Sequence, residues 1–316
     1  MERDAPSGMT YRYPFPPYPT GWYLAAESAA VARAAVLPLH LFGRDLVLFR
    51  TESGVATILD AHCPHMGAHV GYGGHVDGEG VRCPFHAWRF GTDGRCTDVP
   101  YATRTEPPAV GLHCWPVHES SGLVLVHYSE SGRAPQWHMP DIEEWGAPGW
   151  VGYETVGWRI KMHVQELVEN VPDTAHFHTV HSVDPAPRAE VETDGPVYRQ
   201  RMLLGDTDQL VTEQEAFGMG LVWLRSGGAL PVRFLTATTP IDDEHVDLRL
   251  LFLVNEGGDA TQLSPVGKAV VDAIAENTAR DVPIWEHKVY REHPPLVAGD
   301  GPIGVMRKWA RQFYES

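Results

Sequence analysis

The segment Ala175-His-Phe-His-Thr-Val-His181 sets His176, His178 and His181 within six positions, and Glu169, Asn170 and Asp173 lie just upstream. A lone histidine on a helix is ordinarily a packed, hydrogen-bonded side chain. Three beside carboxylates point to a metal. Two imidazoles and one carboxylate suit a mononuclear iron that keeps positions open for dioxygen. Spacing alone does not choose the pair. Asp173 and His176 are three apart, as are His178 and His181, and residues three apart are neighbours on a helix. His176 and His181 are five apart, ~140° around a helix of ~3.6 residues per turn. They share a metal only if the helix distorts or ends.

A second constellation lies upstream. Cys63-Pro-His65 is followed, seventeen residues on, by Cys83-Pro-Phe-His86. A tetrahedral zinc site and a Rieske [2Fe–2S] cluster both take two cysteines and two histidines. Zinc modules usually pair Cys with Cys and His with His. Here each short loop offers one of each, so two parallel loops present sulfurs to one iron and nitrogens to the other. This spacing favours the Rieske cluster. His69 and His75 fall outside the pattern, and Cys96 and Cys114 read as ordinary buried thiols.

These residues need a scaffold. Residues 1–20 are rich in proline and aromatic residues and read as an extended arm. From Gly21 to about residue 128 short strand-like runs alternate with glycine-rich turns, as in "DLVLFR", "GVATILD" and "GLVLVHY". Residues 129–150 form a Pro/Gly/Trp-rich connector. A helical patch at 163–182 precedes the strand-like runs "PVYRQRMLL", "GLVWLRS", "VRFLTATT" and "VDLRLLFLV". A long helix is expected over 265–291, capped by Ser264 with Pro265 in its first turn. Val266, Val270, Ile274, Asp281 and Trp285 share one stripe of it, and Asp281 is the anomaly there. Pro283 should interrupt it. Met202, Leu204, Val222, Trp223 and Phe234 are candidate pocket residues on the strands.

The chain has 316 residues, 43% hydrophobic, with a net charge of −16, which argues against nucleic acid or an anionic membrane as the main partner. The N-terminal sequence has no apolar signal region, no apolar run spans a bilayer, and four cysteines suggest reduced thiols or ligands. A cytoplasmic protein is expected. No glycine-rich dinucleotide fingerprint is visible.

The chain resembles the Rieske non-haem iron oxygenases over nearly its whole length. The carriers are "DAHCPHMGAHVG", "CPFHAWRFGTDGRC", "VPYATRT", "ENVPDTAHFHTVH" and "RDVPIWEHKVYREHPP". They look in particular like those of the 3-ketosteroid 9α-hydroxylases and cholesterol 7-desaturases. Ala87 stands where many members have glycine. The resemblance implies an α+β fold: a Rieske β-domain (21–128), then a helix-grip-like catalytic domain (129–316) with a central antiparallel sheet. It implies that Cys63, His65, Cys83 and His86 hold one [2Fe–2S] cluster. It makes His176, His181 and Asp281 the iron ligands and Asp173 the electron bridge, leaving His178 a spacer. It also implies dioxygen as co-substrate, electrons from NAD(P)H through a separate flavin and ferredoxin-type reductase, a homotrimer, and hydroxylation or desaturation of a hydrophobic, steroid-like substrate. Two rivals are an oxygenase or demethylase for a non-steroid scaffold, and a non-catalytic Rieske electron carrier.

Overall fold

The computed structural model describes residues 12–103, 106–226 and 230–315. The first eleven residues of the expected arm, and Arg104 and Thr105 of "VPYATRT", lie outside the described residues. Residues 12–20 contain neither strand nor helix.

The N-terminal part is all β. Its strands are β1 (Gly21–Glu27), β2 (Val36–Leu41), β3 (Arg44–Arg50), β4 (Ala56–Asp60), β5 (His75–Asp77), β6 (Gly80–Arg82), β7 (Arg89–Gly91), β8 (Cys96–Asp98), β9 (Cys114–Trp115), β10 (Val117–Ser120) and β11 (Leu123–Tyr128). They form three small sheets, ordered β1-β11-β10, β2-β3-β4-β9 and β5-β6-β7-β8. The Cys63–His65 loop follows β4, and the Cys83–His86 loop joins β6 to β7. Buried Val47, Phe49, Leu59, Val70, Val81 and Phe90 pack beneath both loops.

The C-terminal part is built on one seven-stranded sheet. Its strands are β12 (Trp150–Ile160), β13 (Pro187–Asp194), β14 (Val197–Leu204), β15 (Leu210–Phe217), β16 (Leu221–Ser226), β17 (Val232–Pro240) and β18 (Val246–Asn255). The order is β12-β18-β17-β16-β15-β14-β13, every neighbour antiparallel. The meander β13–β18 thus ends beside β12. Between β12 and β13 come α1 (Val164–Asn170) and α2 (His176–His181); after β18 come α3 (Pro265–Ala279), α4 (Val282–His287) and α5 (Ile303–Ala310).

The sheet is covered on both faces, because successive side chains on a strand point to opposite sides. Trp223, Leu235 and Leu251 face Trp22, Leu24 and Leu125 of the N-terminal part. Val222, Phe234 and Leu250 face the other way.

Three sequence expectations are corrected. Strands β12, β13 and β15 fall where no strand was read. In β13 and β15 a polar or charged alternation, as in "PRAEVETD", lacks the apolar run that marks a buried strand, and in β12 Gly152, Glu154, Gly157 and Arg159 interrupt the apolar residues. The expected helix over 265–291 ends early, at His287, and the interruption expected at Pro283 is a break at Arg280–Asp281 that makes two helices of it. Pro283 has no N–H to donate, and its ring would crowd the carbonyl of residue 279 in a continuous helix, so the chain restarts there. The helical patch at 163–182 is likewise two short helices. The Ser264 hydroxyl does cap α3, accepting from the Gly267 N–H at 3.0 Å.

Candidate metal centres and cavity

The two cysteine loops have the same backbone form. The N–H of Gly67 donates to the Cys63 carbonyl at 2.9 Å, and that of Ala87 to the Cys83 carbonyl at 3.1 Å. The N–H groups of Cys63 and Cys83 donate to the carbonyls of Ala68 and Trp88, each at 2.9 Å. Each turn needs a left-handed residue, which is Gly67 in one loop (φ 76°) and Ala87 in the other (φ 57°).

Both cysteines are buried. The rings of His65 and His86 lie 4.6 Å apart at 72°, and His65 stacks on Trp88 at 4.6 Å. Burial, with Cys83 alongside, pushes the Cys63 thiol up to about 11. The Nδ1 of His65 is buried without a hydrogen-bond partner, the condition of a nitrogen kept for a metal. A single zinc would gather all four donors within twice ~2.3 Å. No three of Cys63, His65, Cys83 and His86 come within 4.8 Å of one another, whereas another trio does. The donor set therefore fits a wider, two-iron cluster.

That trio is His176, His181 and Asp281, the one group of its kind among the described residues. His176 opens α2 and His181 closes it. The six-residue helix stops because Ser182 turns left-handed (φ 58°). The two rings lie 5.0 Å apart at 75°. Asp281 sits at the break between α3 and α4, 5% exposed, with His181 Nε2 3.3 Å from its Oδ2. Among the described residues no Arg or Lys pairs with it. A buried carboxylate without a cation is costly, so the site fits a metal ion. His178 points away: its side chain is 60% exposed and its Nδ1 lies 3.7 Å from Asp184.

The groups behind these three differ. His176 Nδ1 faces Asp173 Oδ1 at 3.6 Å. Burial raises the Asp173 carboxyl, but contact with His176 and the backbone N–H groups of Ala175 and His176 outweighs it, leaving the carboxyl below the usual range. His181 Nδ1 lies 3.2 Å from Asn277 Oδ1, and the Asn170 amide nitrogen lies 3.4 Å from His176 Nε2. No role was read for either asparagine from sequence. Asn277 stands one helical turn before Asp281, which was the available signal. Behind α1, Arg307 of α5 forks onto Glu169 at 2.8 and 3.0 Å, fixing the helix that leads to Asp173.

A cavity of about 780 Å³ opens on the trio. Val222, Leu224, Phe234 and Leu250 line its sheet side, and Val266, Val270 and Ile274 its helix side. The apolar stripe on α3 thus lines a cavity, while Val270 and Ile274 also pack against the buried cluster that holds Phe234, Leu250 and Val271. Of the pocket candidates, Val222 and Phe234 line it. Trp223 is on the opposite face of the sheet, and Met202 and Leu204 do not reach the cavity. Thr212, Gln214 and Ser226 add hydrogen-bonding groups to the lining.

Residues 21–116 match the Rieske [2Fe–2S] domain, and residues 126–314 match the 3-ketosteroid 9α-hydroxylase C-terminal domain. The chain belongs to the Rieske non-haem iron oxygenases, in the 3-ketosteroid 9α-hydroxylase family. It is an oxidoreductase of that kind. It is 30% identical to a probable 3-ketosteroid-9-alpha-monooxygenase oxygenase component of Rhodococcus rhodochrous, over 94% of this chain and 80% of the relative. It is 30% identical to the cholesterol 7-desaturase nvd of Xenopus laevis, over 95% of this chain and 73% of that one. The fold superposes on NdmA of Pseudomonas putida CBB5 with a TM-score of 0.75 at 18% identity, covering 92% of this chain and 89% of that one. For dicamba monooxygenase the TM-score is 0.65 at 20% identity, covering 92% and 96%. No helix among the described residues is long and apolar enough to cross a membrane.

Proposed function

We propose that this oxygenase hydroxylates or desaturates an elongated, apolar polycyclic substrate of steroid type, drawing electrons from NAD(P)H through a separate flavin and ferredoxin-type reductase in the cytoplasm. In this reading Cys63, His65, Cys83 and His86 hold the [2Fe–2S] cluster, and His176, His181 and Asp281 hold one ferrous ion. The observation that carries it is a large, mostly apolar cavity ending at two imidazoles and a carboxylate. Its volume suits a drug-sized ligand of the kind that fills pockets of ~300–1,000 Å³.

The bound iron would supply the dioxygen chemistry that no side chain offers. The chain's own residues do the rest. The apolar walls bind the substrate, exclude water and orient one of its C–H bonds toward the metal end. His176, His181 and Asp281, which lie at the end of the cavity on its helical side, would hold the ion there. Asp173, 3.6 Å from His176 Nδ1, would accept that ring's N–H and, across a subunit boundary, that of the partner subunit's His86.

The second contact needs a head-to-tail homotrimer, a ring of heterologous interfaces. Surface character supports it. Exposed Met66, Phe85 and Tyr101 surround the His65/His86 tip. Exposed Leu296 and Val297 belong to the loop whose Gly299 carbonyl accepts from Thr174, next to Asp173.

A panel of 3-ketosteroids, sterols and non-steroid aromatics, turned over with a surrogate reductase and read by product mass spectrometry, tests the function. A gain of one oxygen or a loss of two hydrogens on a steroid is expected. A second reading, oxidation or demethylation of a non-steroid scaffold, is favoured by Thr212, Gln214 and Ser226, which equip the cavity for a more polar ligand. Turnover confined to the non-steroid arm would select it. The carrier reading needs no second metal: about three irons per chain mark an oxygenase and about two a carrier.

A further inference from the structure

We infer that Asn277 is a positioning residue that holds His181 in the tautomer able to bind a metal. The inference rests on the reading of His176, His181 and Asp281 as a metal site. A neutral imidazole carries one proton, on Nδ1 or on Nε2, and the hydrogen bond made by one nitrogen decides the state of the other. Both nitrogens of His181 have an oxygen in reach. Nδ1 lies 3.2 Å from Asn277 Oδ1, and Nε2 lies 3.3 Å from Asp281 Oδ2.

The two tautomers have opposite consequences. With the proton on Nε2, His181 donates to Asp281, and two of the three metal donors are spent on each other. With the proton on Nδ1, His181 donates to Asn277. The Nε2 lone pair and the Asp281 carboxylate are then both free to face a cation. The Asn277 carbonyl therefore competes directly with Asp281 for one proton, and winning that competition keeps the site open.

The placement supports this role. Asn277 and Asp281 are one turn apart where α3 ends, so one element carries both competing oxygens. His181 is 5% exposed at its side chain, so water is a poor substitute acceptor. The other imidazole is backed differently, by the carboxylate of Asp173. Groups standing behind metal ligands in this way typically change affinity 10–100-fold when removed.

The test uses cluster-loaded enzyme whose mononuclear metal has been removed by chelation. Cobalt(II) is titrated anaerobically, and its visible d–d band reports binding. Wild type is expected to bind. Asn277→Leu should bind about 10–100-fold more weakly, with its cluster spectrum and melting temperature unchanged. Asn277→Asp keeps an acceptor oxygen and should bind close to wild type. Wild-type affinity in Asn277→Leu, or equal losses in Leu and Asp variants, overturns the inference. So does nitrogen-15 NMR of the stripped wild type showing His181 protonated on Nε2, a readout that needs no variant to fold; protonation on Nδ1 supports it. If wild type takes up no cobalt at all, the metal-site reading itself fails.

Discussion

The two candidate iron sites are built by different means. In the N-terminal part, Cys63–Ala68 and Cys83–Trp88 are two copies of one turn, each complete within six residues and set side by side by short strands. In the C-terminal part the three donors come from α2 and from the α3/α4 break, 100 residues apart between His181 and Asp281. The first site is a local structure that the sheet only has to align. The second exists only when helices from both ends of the domain close over the sheet. Local sites announce themselves in sequence; assembled ones depend on the fold.

The largest expected effect tests the local site. The protein should be red-brown as isolated, from thiolate-to-iron charge transfer, and Cys83→Ser should abolish that colour and unfold much of the N-terminal part, because cluster binding supplies folding energy there. A colourless wild type holding zinc breaks the comparison at its root.

Next comes the assembled site. Asp281→Ala should abolish turnover and weaken iron binding by more than the ~10–100-fold typical of a group behind a ligand, with the cluster spectrum intact. His176→Ala and His181→Ala should also lose the mononuclear iron. His178→Ala should keep it and change stability by less than about 0.5 kcal/mol, as an exposed side chain does. Iron analysis of the four variants decides this. Loss from the His178 variant with retention in the His176 variant would reverse the choice of pair.

The link between the two sites is tested by Asp173→Asn. It keeps the size and removes one acceptor oxygen. Cluster and iron contents should stay normal, while single-turnover reoxidation of the reduced cluster slows severely. Reoxidation at the wild-type rate would exclude Asp173 as the bridge.

The smallest effect sharpens the likeness of the two loops. Gly67 and Ala87 hold the same left-handed place, and a Cβ at Gly67 meets nothing within 4 Å. Gly67→Ala should cost about 1 kcal/mol, and Ala87→Gly should gain less than about 1 kcal/mol because glycine loses more freedom on folding. Thermal melting of the two holoproteins measures both.

Sequence reading succeeded where the signal was local or strongly patterned. The paired loops of the Rieske domain, the four apolar strands of the sheet and the capped start of α3 were legible for that reason. Helical spacing could not choose among His176, His178 and His181. Their relation depends on α2 ending at Ser182, which adopts a left-handed conformation without being glycine. The strands β13 and β15 were missed because their alternation is of charge rather than of apolarity. Glu190 faces Arg201 and Arg201 faces Glu213 across the register. The apolar stripe of α3 was legible, but a cavity wall and a core face look alike in sequence.

The cavity has its candidate metal donors on the helical side and its opposite wall on strands. Alternate positions of β16 and β17 can therefore exchange size and polarity without moving a ligand, since each points into the cavity from a rigid sheet. Reactivity and recognition are then separately heritable: selection can rewrite one wall while the oxidising machinery stays fixed. Proteins of this fold have been solved with ligands as unlike as caffeine, in NdmA, and dicamba, in dicamba monooxygenase. A wall that mutates independently of its chemistry is a ready route to that diversity.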